Sequence, residues 1–273
     1  RKHRYRVALL DMTTIPLELA ISRNNERDEL ARVPEARLRQ MYDTILRQNI
    51  AKAFSDATII VGKEDGSHIA KLEEWIREPI HDFTDQYKGV IHIGDLQGCY
   101  TVLAGEGGPL EKGFRDDYKY VFVGDLLDRG IENGKVLRWF IDNALGRDNV
   151  TLLWGNHEDH LDRWSRGEAA VSNEFGLRTV PQLLAEGITP QEADAVCQKA
   201  QEFLQYRFRG AEVIVTHAGM STFPAQPHLI SLHQFSRGTG YWTDPIDQQF
   251  ERNSARGFQV HGHRNHGNVA VHA

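Results

Sequence analysis

Cysteine is scarce in this chain: Cys99 and Cys197 are the only two among 273 residues, and they form no paired spacing. That excludes a disulfide framework and a cysteine-based zinc knuckle. No run of about 18 apolar residues occurs, which argues against a membrane-spanning helix. No secretory-leader pattern is visible either, so a reducing, cytoplasmic setting without membrane contact is expected. Excess positive charge is also missing. The net charge of −6 leaves no global basic field to attract nucleic acid, and the short run Arg1-Lys2-His3-Arg4-Tyr5-Arg6 reads as a solvated strand edge or linker. Internal repeats and low-complexity tracts are absent. The first residue is Arg rather than Met, and an apolar alternating run, Val269-Ala270-Val271-His272-Ala273, closes the chain; a piece of a longer protein is expected.

What is present is enough for a sizeable core. The hydrophobic fraction is 40%, and the length suits one large domain, or one domain with part of another. Val7 to Met12 reads as a buried strand, followed by Pro16 near a helix start, then a helix over Leu17 to Arg27. Val33-Pro34-Glu35 opens a second helix, with Leu38, Met41, Ile45 and Leu46 on one stripe. A strand over Ala57 to Val61, a helix around Leu72 to Trp75 and a connection from Glu78 to Lys88 follow. Helices are expected over Asn133 to Asn143, Val180 to Glu186 and Pro190 to Arg207.

From residue 90 on, one pattern recurs. Apolar strands end in Gly94-Asp95, Gly124-Asp125, Gly155-Asn156-His157, His217-Ala218-Gly219 and His261-Gly262-His263. Ligands of open α/β sheets bind beyond the carboxyl ends of strands, where loops converge from distant parts of the chain. Each strand end alone is an ordinary turn or a satisfied histidine; five in succession are not. Oxygen donors mixed with imidazoles suit Mn²⁺, Fe or Zn²⁺ better than Ca²⁺ or Mg²⁺ alone. Two ions about 3.5–4 Å apart would need a bridging carboxylate, and such a pair activates water for phosphoryl displacement.

Gly94-Asp95-Leu96-Gln97-Gly98, Gly124-Asp125-Leu126-Leu127-Asp128-Arg129-Gly130, Gly155-Asn156-His157-Glu158, His217-Ala218-Gly219 and Gly262-His263 together resemble the motif series of calcineurin-like metallophosphoesterases. The likeness is to the branch of Ser/Thr phosphatases and symmetrical diadenosine tetraphosphatases. It spans residues 88–273 and implies an α/β fold, a layered α/β/β/α sandwich with metals at the strand ends. By motif position, Asp95 and Gln97 would bind the first metal, Asp125 would bridge, and Asn156, His217 and His263 would bind the second; Mn²⁺ is the first choice, with Fe, Zn²⁺, Ni²⁺ or Co²⁺ as alternatives. His157 would be the general acid, Asp128 would orient it, and Arg129, with Asn156, would hold the phosphate. Gln97 departs from the family's Asp-X-His. Its neutral amide oxygen weakens the first site or favours harder ions, and a water-bridged role is the alternative. His261 and His266 are weaker ligand candidates than His263; His92, His160, His228 and His233 are read as structural or solvated. Tyr241-Trp242-Thr243-Asp244-Pro245 resembles the Trp-containing segment of Ser/Thr phosphatases, with Arg237 and Arg256 read as surface residues beside it.

The first fifty residues, from Val7-Ala8-Leu9-Leu10-Asp11-Met12 through Ser22-Arg23-Asn24-Asn25-Glu26-Arg27 to Val33-Pro34-Glu35 and Met41-Tyr42, resemble the carboxyl-terminal lid of a P-loop polynucleotide kinase. The phosphate-cradling loop of that fold is absent from this chain, so ATP would be a ligand only with the rest of the kinase portion, through Arg23 and Arg27. The expected organisation is a P-loop kinase remnant over 1–50, a connecting segment over 51–87 and a metallophosphoesterase domain over 88–273. Four functions follow: a 3′-end phosphatase of a polynucleotide kinase-phosphatase, acting in repair of nucleic-acid ends; a dinucleoside polyphosphate hydrolase; a phosphoprotein phosphatase; or a binding module in which Gln97 marks a decayed site. The first is preferred, with a phosphorylated nucleic-acid end or nucleotide as partner.

Overall fold

Tyr120, Val121, Phe122 and Val123 are each at most 2% exposed, so the segment they form is covered on both faces. The protein is described by a computed structural model covering residues 8–46, 58–76, 80–225, 227–254 and 257–264. Residues 1–6, Val7, Ala57, Glu78, Arg256, His266 and 269–273 lie outside the described residues, as do the side chains of Ile45, Leu46 and His228.

The chain forms two compact units, Arg1–Glu78 and Pro79–Ala273. In the first, β1 (Ala8–Asp11) pairs in parallel with β2 (Thr58–Val61), and α1 (Leu17–Asn25), α2 (Glu35–Leu46) and α3 (His68–Ile76) accompany them. Pro16 occupies the N-cap of α1 rather than its first turn, and Thr14 donates its hydroxyl proton to the Gly62 carbonyl instead of capping the helix. On α2, Leu38 is partly buried and Met41 is exposed.

The second unit has two sheets. β4 (Gly89–Ile93), β5 (Tyr118–Phe122) and β6 (Val150–Leu152) form a parallel three-stranded sheet with β5 in the middle. The other sheet has the order β3 (His81–Asp82), β7 (Leu204–Phe208), β8 (Ala211–Val215), β9 (Phe258–Val260); β7 and β8 are antiparallel and the remaining pairs parallel. Side chains alternate along a strand, so β5 serves two cores. Tyr120 and Phe122 pack with Val136, Leu137 and Phe140 of α5 (Asn133–Asn143) and Val196 of α8 (Pro190–Lys199). Val121 and Val123 pack with Leu204, Tyr206, Val213 and Val215 of the opposite sheet. Helix layer, sheet and second sheet are thus stacked in that order. Five further α-helices belong to the unit: α4 (Tyr100–Ala104), α6 (Glu158–Ser165) and α7 (Val180–Ala185), then α9 (Leu232–Arg237) and α10 (Ile246–Asn253) before β9.

Two expectations need correction. The helix over Pro190 to Arg207 stops at Lys199, and Leu204–Phe208 is a strand. Thr189 and Glu192 form a capping box that starts the helix well, but Gln201 then bonds to the backbone of Leu152 and Trp154 and draws the chain out of it. Leu204 and Tyr206 point inward at a period of two, and Arg209-Gly210, both at positive φ, turn the chain into β8. The stretch read as a connection, residues 78–88, contributes β3, whose Phe83 neighbour enters the inter-sheet core.

Phe140 is fully buried and meets Phe122 edge-on at 5.2 Å between ring centroids. Phe140→Ala is expected to destabilise the protein by about 3–5 kcal/mol; denaturant unfolding showing a loss under about 1 kcal/mol would contradict this packing.

Candidate metal centre

The carboxyl ends of β4, β5, β6, β8 and β9 carry Asp95, Asp125, Asn156 with His157, His217, and His263. One ligand atom each from Asp125, His217 and His263 lies within 4.8 Å of the others. His217 Nδ1–H donates to the Val123 carbonyl at 2.8 Å, which turns Nε2 inward. That Nε2 lies 3.4 Å from Asp125 Oδ1 and 3.2 Å from Asn156 Oδ1. The backbone N–H of His263 donates to the Asp95 carboxylate at 3.2 Å, linking the first and last of these loops. Asp125 Oδ2 is buried with no hydrogen-bond partner among the described residues. An imidazole nitrogen, an amide oxygen and a buried carboxylate thus converge with at most the His217 Nε2 proton between them. An uncompensated buried charge is expensive, and a cation relieves all three at once. The donor set, two carboxylates, an amide oxygen and two imidazoles, fits a divalent transition ion.

The electrostatics follow from this crowding. Burial pushes the Asp95 carboxyl up. Burial also opposes ionisation of Asp125, but the hydrogen bond to His217, the charges of His217 and His157 and the His157 backbone N–H together outweigh it and hold that carboxyl low. In His217 burial favours the neutral ring, and the bond to Asp125 together with the charges of Asp125, Asp95 and Glu158 overrides it, leaving the pKa raised. His263 is pushed down to about 4 by burial and then by the neighbouring His217. In the absence of an ion, a proton on His217 meets the charge of Asp125.

A second group adjoins the first. His157 Nδ1–H donates to Asp128 Oδ2 at 2.7 Å, and the backbone N–H of His157 donates to Asp125 Oδ1 at 3.0 Å. His157 Nε2 faces Asp125 Oδ2 at 3.9 Å, at the edge of the cluster. Burial alone would lower the pKa of His157; the bond to Asp128 and the charge of Asp125 more than offset it, and the pKa is raised. Arg129 is exposed, and among the described residues its guanidinium has no hydrogen-bond or ion-pair partner. Gln97 bonds through its backbone to Asp125 and Gly130, while its side chain makes no hydrogen bond among the described residues. His261 is turned away from the cluster, bonding Asp247 at 3.0 Å. His92 bonds Tyr206, and His160 packs on Phe175. Arg237 pairs with Asp159. Arg23 and Arg27 belong to the first unit, where Arg23 donates to the Glu64 carbonyl at 3.3 Å.

Several supporting residues are assigned no role by the sequence. Glu158, at the start of α6, is 2% exposed and accepts three backbone N–H groups: Asp125 at 2.8 Å, Leu126 at 2.9 Å and Gly155 at 2.7 Å. Full burial and the charge of Asp125 push it up to about 7, while the three donors stabilise its charged form. Gly155 is required here: a Cβ would lie 2.3 Å from Asp125 Oδ1 and 2.6 Å from Glu158 Oε2. Thr179 closes a π-helical turn, Phe175–Thr179, and its hydroxyl donates to Asp128 Oδ1, opposite the oxygen that holds His157. Asn133 accepts the Asp128 N–H at 2.7 Å and donates to the Gly130 carbonyl. The only sequence signal for Glu158 was its place after His157 in a motif already noted. Thr179 gave none, because its partner lies 51 residues away.

A family model described as calcineurin-like phosphoesterase matches residues 89–272. Among curated proteins, the symmetrical bis(5′-nucleosyl)-tetraphosphatase of a Marinomonas species is 34% identical over 130 residues, covering 47% of this chain and 43% of its own length. The asymmetrical bis(5′-nucleosyl)-tetraphosphatase of Bacillus velezensis is 27% identical over 143 residues, covering 47% and 55% respectively. The chain therefore spans about half the length of these relatives. A solved serine/threonine phosphatase from Saccharomyces cerevisiae is 18% identical and covers 71% of this chain and 67% of that one, with a TM-score of 0.38.

Glu158→Gln places an amide N–H against backbone donors and is expected to lower turnover by about 100-fold or more, given a loss of about 3 kcal/mol in ordering of the site. Steady-state kinetics within twofold of wild type would contradict the clamp. Thr179→Val is expected to reduce kcat about tenfold at unchanged KM and metal content, with Thr179→Ser restoring most of it; a fall in metal content instead would show that Thr179 supports the ion site rather than His157.

Proposed function

This chain belongs to the calcineurin-like phosphoesterase family, a family of hydrolases, and from that premise we propose that it is a two-metal phosphatase acting on a nucleotide-type phosphoester, first of all a 3′-phosphate end of RNA or DNA. The observation that carries the metal-dependent chemistry is the buried, partnerless Asp125 Oδ2 beside His217 Nε2 and Asn156 Oδ1. Asp95, Asp125, Asn156, His217 and His263 would hold the ions, with Asp125 shared; Gln97 would act directly or through water. Mn²⁺ is our first choice for this donor set, and when bound such ions stabilise charge on phosphoryl oxygens and acidify water.

The remaining roles fall to the chain's own groups. Asp128, fixed by Thr179 and Asn133, holds the Nδ1 proton of His157 and leaves Nε2 to carry a proton to the departing oxygen. The bond to Asp128 and the charges of Asp125 and Asp128 favour the protonated ring of His157. Arg129, a free guanidinium beside the cluster, is suited to gripping two phosphate oxygens at once. Asn156, whose Oδ1 lies 3.2 Å from His217 Nε2, would contact both an ion and the substrate.

Support for a nucleic-acid end comes from the resemblance of the first fifty residues to a polynucleotide-kinase lid. A second reading, hydrolysis of a dinucleoside polyphosphate, is favoured by the names of the curated relatives.

Phosphate release from a 3′-phosphorylated oligonucleotide, diadenosine tetraphosphate and a phosphopeptide, each with Mn²⁺ and after chelation, tests these readings. Metal-dependent cleavage of the oligonucleotide is expected to lead; faster cleavage of diadenosine tetraphosphate would move the function to the second reading. Asp125→Ala is expected to abolish turnover and metal binding together, whereas His157→Ala lowers kcat by about 10²–10⁴-fold with metal retained. An Asp125→Ala variant that keeps two ions would contradict the bridging role.

A further inference from the structure

Residues 238–244, between α9 and α10, form a loop whose construction is not explained by the metal cluster alone. Arg264 follows His263 directly and is buried at 8% exposure. Its guanidinium donates to the Tyr241 carbonyl at 3.0 Å and to the Thr239 carbonyl at 2.6 Å, while Nε is buried with no hydrogen-bond partner among the described residues. Gly238 sits at φ +76° against the same guanidinium, where a Cβ would lie 2.3 Å from Nη2. Asp244 ties the other side of the loop, accepting the Tyr241 N–H at 2.8 Å and donating its own N–H to the Tyr241 carbonyl. Burying a guanidinium is costly, and the positive φ at position 238 together with the close approach of Arg264 leaves room only for glycine. What they hold in place is a pair of large aromatic side chains left open to solvent: Tyr241 at 79% exposure and Trp242 at 50%. Trp242 meets the His263 ring edge-on, at 4.7 Å between centroids and 74° between planes.

We propose that Tyr241 and Trp242 form a stacking platform for the base of a nucleoside phosphate whose phosphate sits at the cluster of Asp125, His217 and His263. This deepens the phosphatase reading and rests on it. The contact between Trp242 and His263 sets the platform directly beside the ion site, so a group one sugar away from the reacting phosphate reaches it. Stacking accepts any base, because every base has a π face, and an indole and a phenol held on a pinned loop lose little entropy on binding. Arg129 supplies the charge for the phosphate while the platform supplies affinity for what the phosphate is attached to. A free nucleotide and the last residue of a strand present the same base, and the two are separated by experiment.

The test compares KM for a nucleoside 3′-phosphate, a 3′-phosphorylated oligonucleotide, a phosphopeptide and glycerol phosphate, which lacks a base. Wild type is expected to show a KM about tenfold lower for the base-bearing substrates than for glycerol phosphate, the size of one base–aromatic stack. Trp242→Ala and Tyr241→Ala should erase that ratio by raising KM, with kcat moving less, and Trp242→Phe should keep it. A lower KM for the oligonucleotide than for the mononucleotide assigns the platform to strand ends, and equal values assign it to free nucleotides. A wild-type ratio near one, a stronger preference for the phosphopeptide, or an equal fall for all substrates in Trp242→Ala overturns the platform. Quenching of intrinsic fluorescence by the nucleoside 3′-phosphate reads binding without turnover. Saturable quenching lost in Tyr241→Ala, in an enzyme that cleaves nothing, would sink the phosphatase reading and keep the platform; active enzyme without quenching would sink the platform alone.

Discussion

The carboxylate of Glu158 ties together the loops that leave two neighbouring strands, β5 and β6. By accepting the backbone N–H groups of Asp125, Leu126 and Gly155, it fixes the end of β5 against the end of β6. Asp125 and Asn156 lie within those loops, and their mutual position depends on it. The backbone around the cluster is strained: among the described residues, five of the six non-glycine positions at positive φ are Gln97, Asp125, Asp128, Arg129 and His263. Each such conformation costs on the order of 1–3 kcal/mol and persists only where its surroundings over-determine it. Glu158, Asn133 and the backbone bonds of Gln97 are those surroundings.

The rigidity behind this comes from β5. Its two faces belong to different cores, one shared with the helices and one with the opposite sheet, so it cannot shift without disturbing both. The polar residues that follow it are aimed by a strand with no freedom to tilt. Crowding two carboxylates with two imidazoles at the end of such a strand would be unfavourable in the bare protein. Protonation of His217 offsets part of the charge, and an ion would offset more, since it satisfies Asp125 Oδ2 as well.

Around this centre lies a second ring of contacts with one shared logic: each reacting group is held from behind by a residue from a distant segment. Thr179 holds Asp128, which holds His157; Val123 holds His217; Arg264 holds the loop that carries Trp242 against His263. The π-helical turn that delivers Thr179 also places Phe175 on His160, so one local irregularity braces both histidines of α6 and its cap.

The sequence by itself determined the alternation of apolar strands with polar strand ends, because burial on both faces demands continuous apolar residues and a loop at a strand end tolerates charge. It therefore disclosed Asp95, Asp125, Asn156, His157, His217 and His263 as a series. It misread Leu204–Phe208 as helix, because the period of two is short there and the antiparallel partner that enforces it comes later in the chain. Only the tertiary structure decided which polar atoms face one another. Glu158 looks like any acidic residue in a first helical turn until the amides of Asp125 and Leu126, more than 30 residues away, are brought against it. Thr179, Arg264 and the orphaned oxygen of Asp125 are equally silent in sequence, for the same reason: hydrogen bonding is fixed by distance and angle in space, and a pattern of residue types along the chain specifies neither.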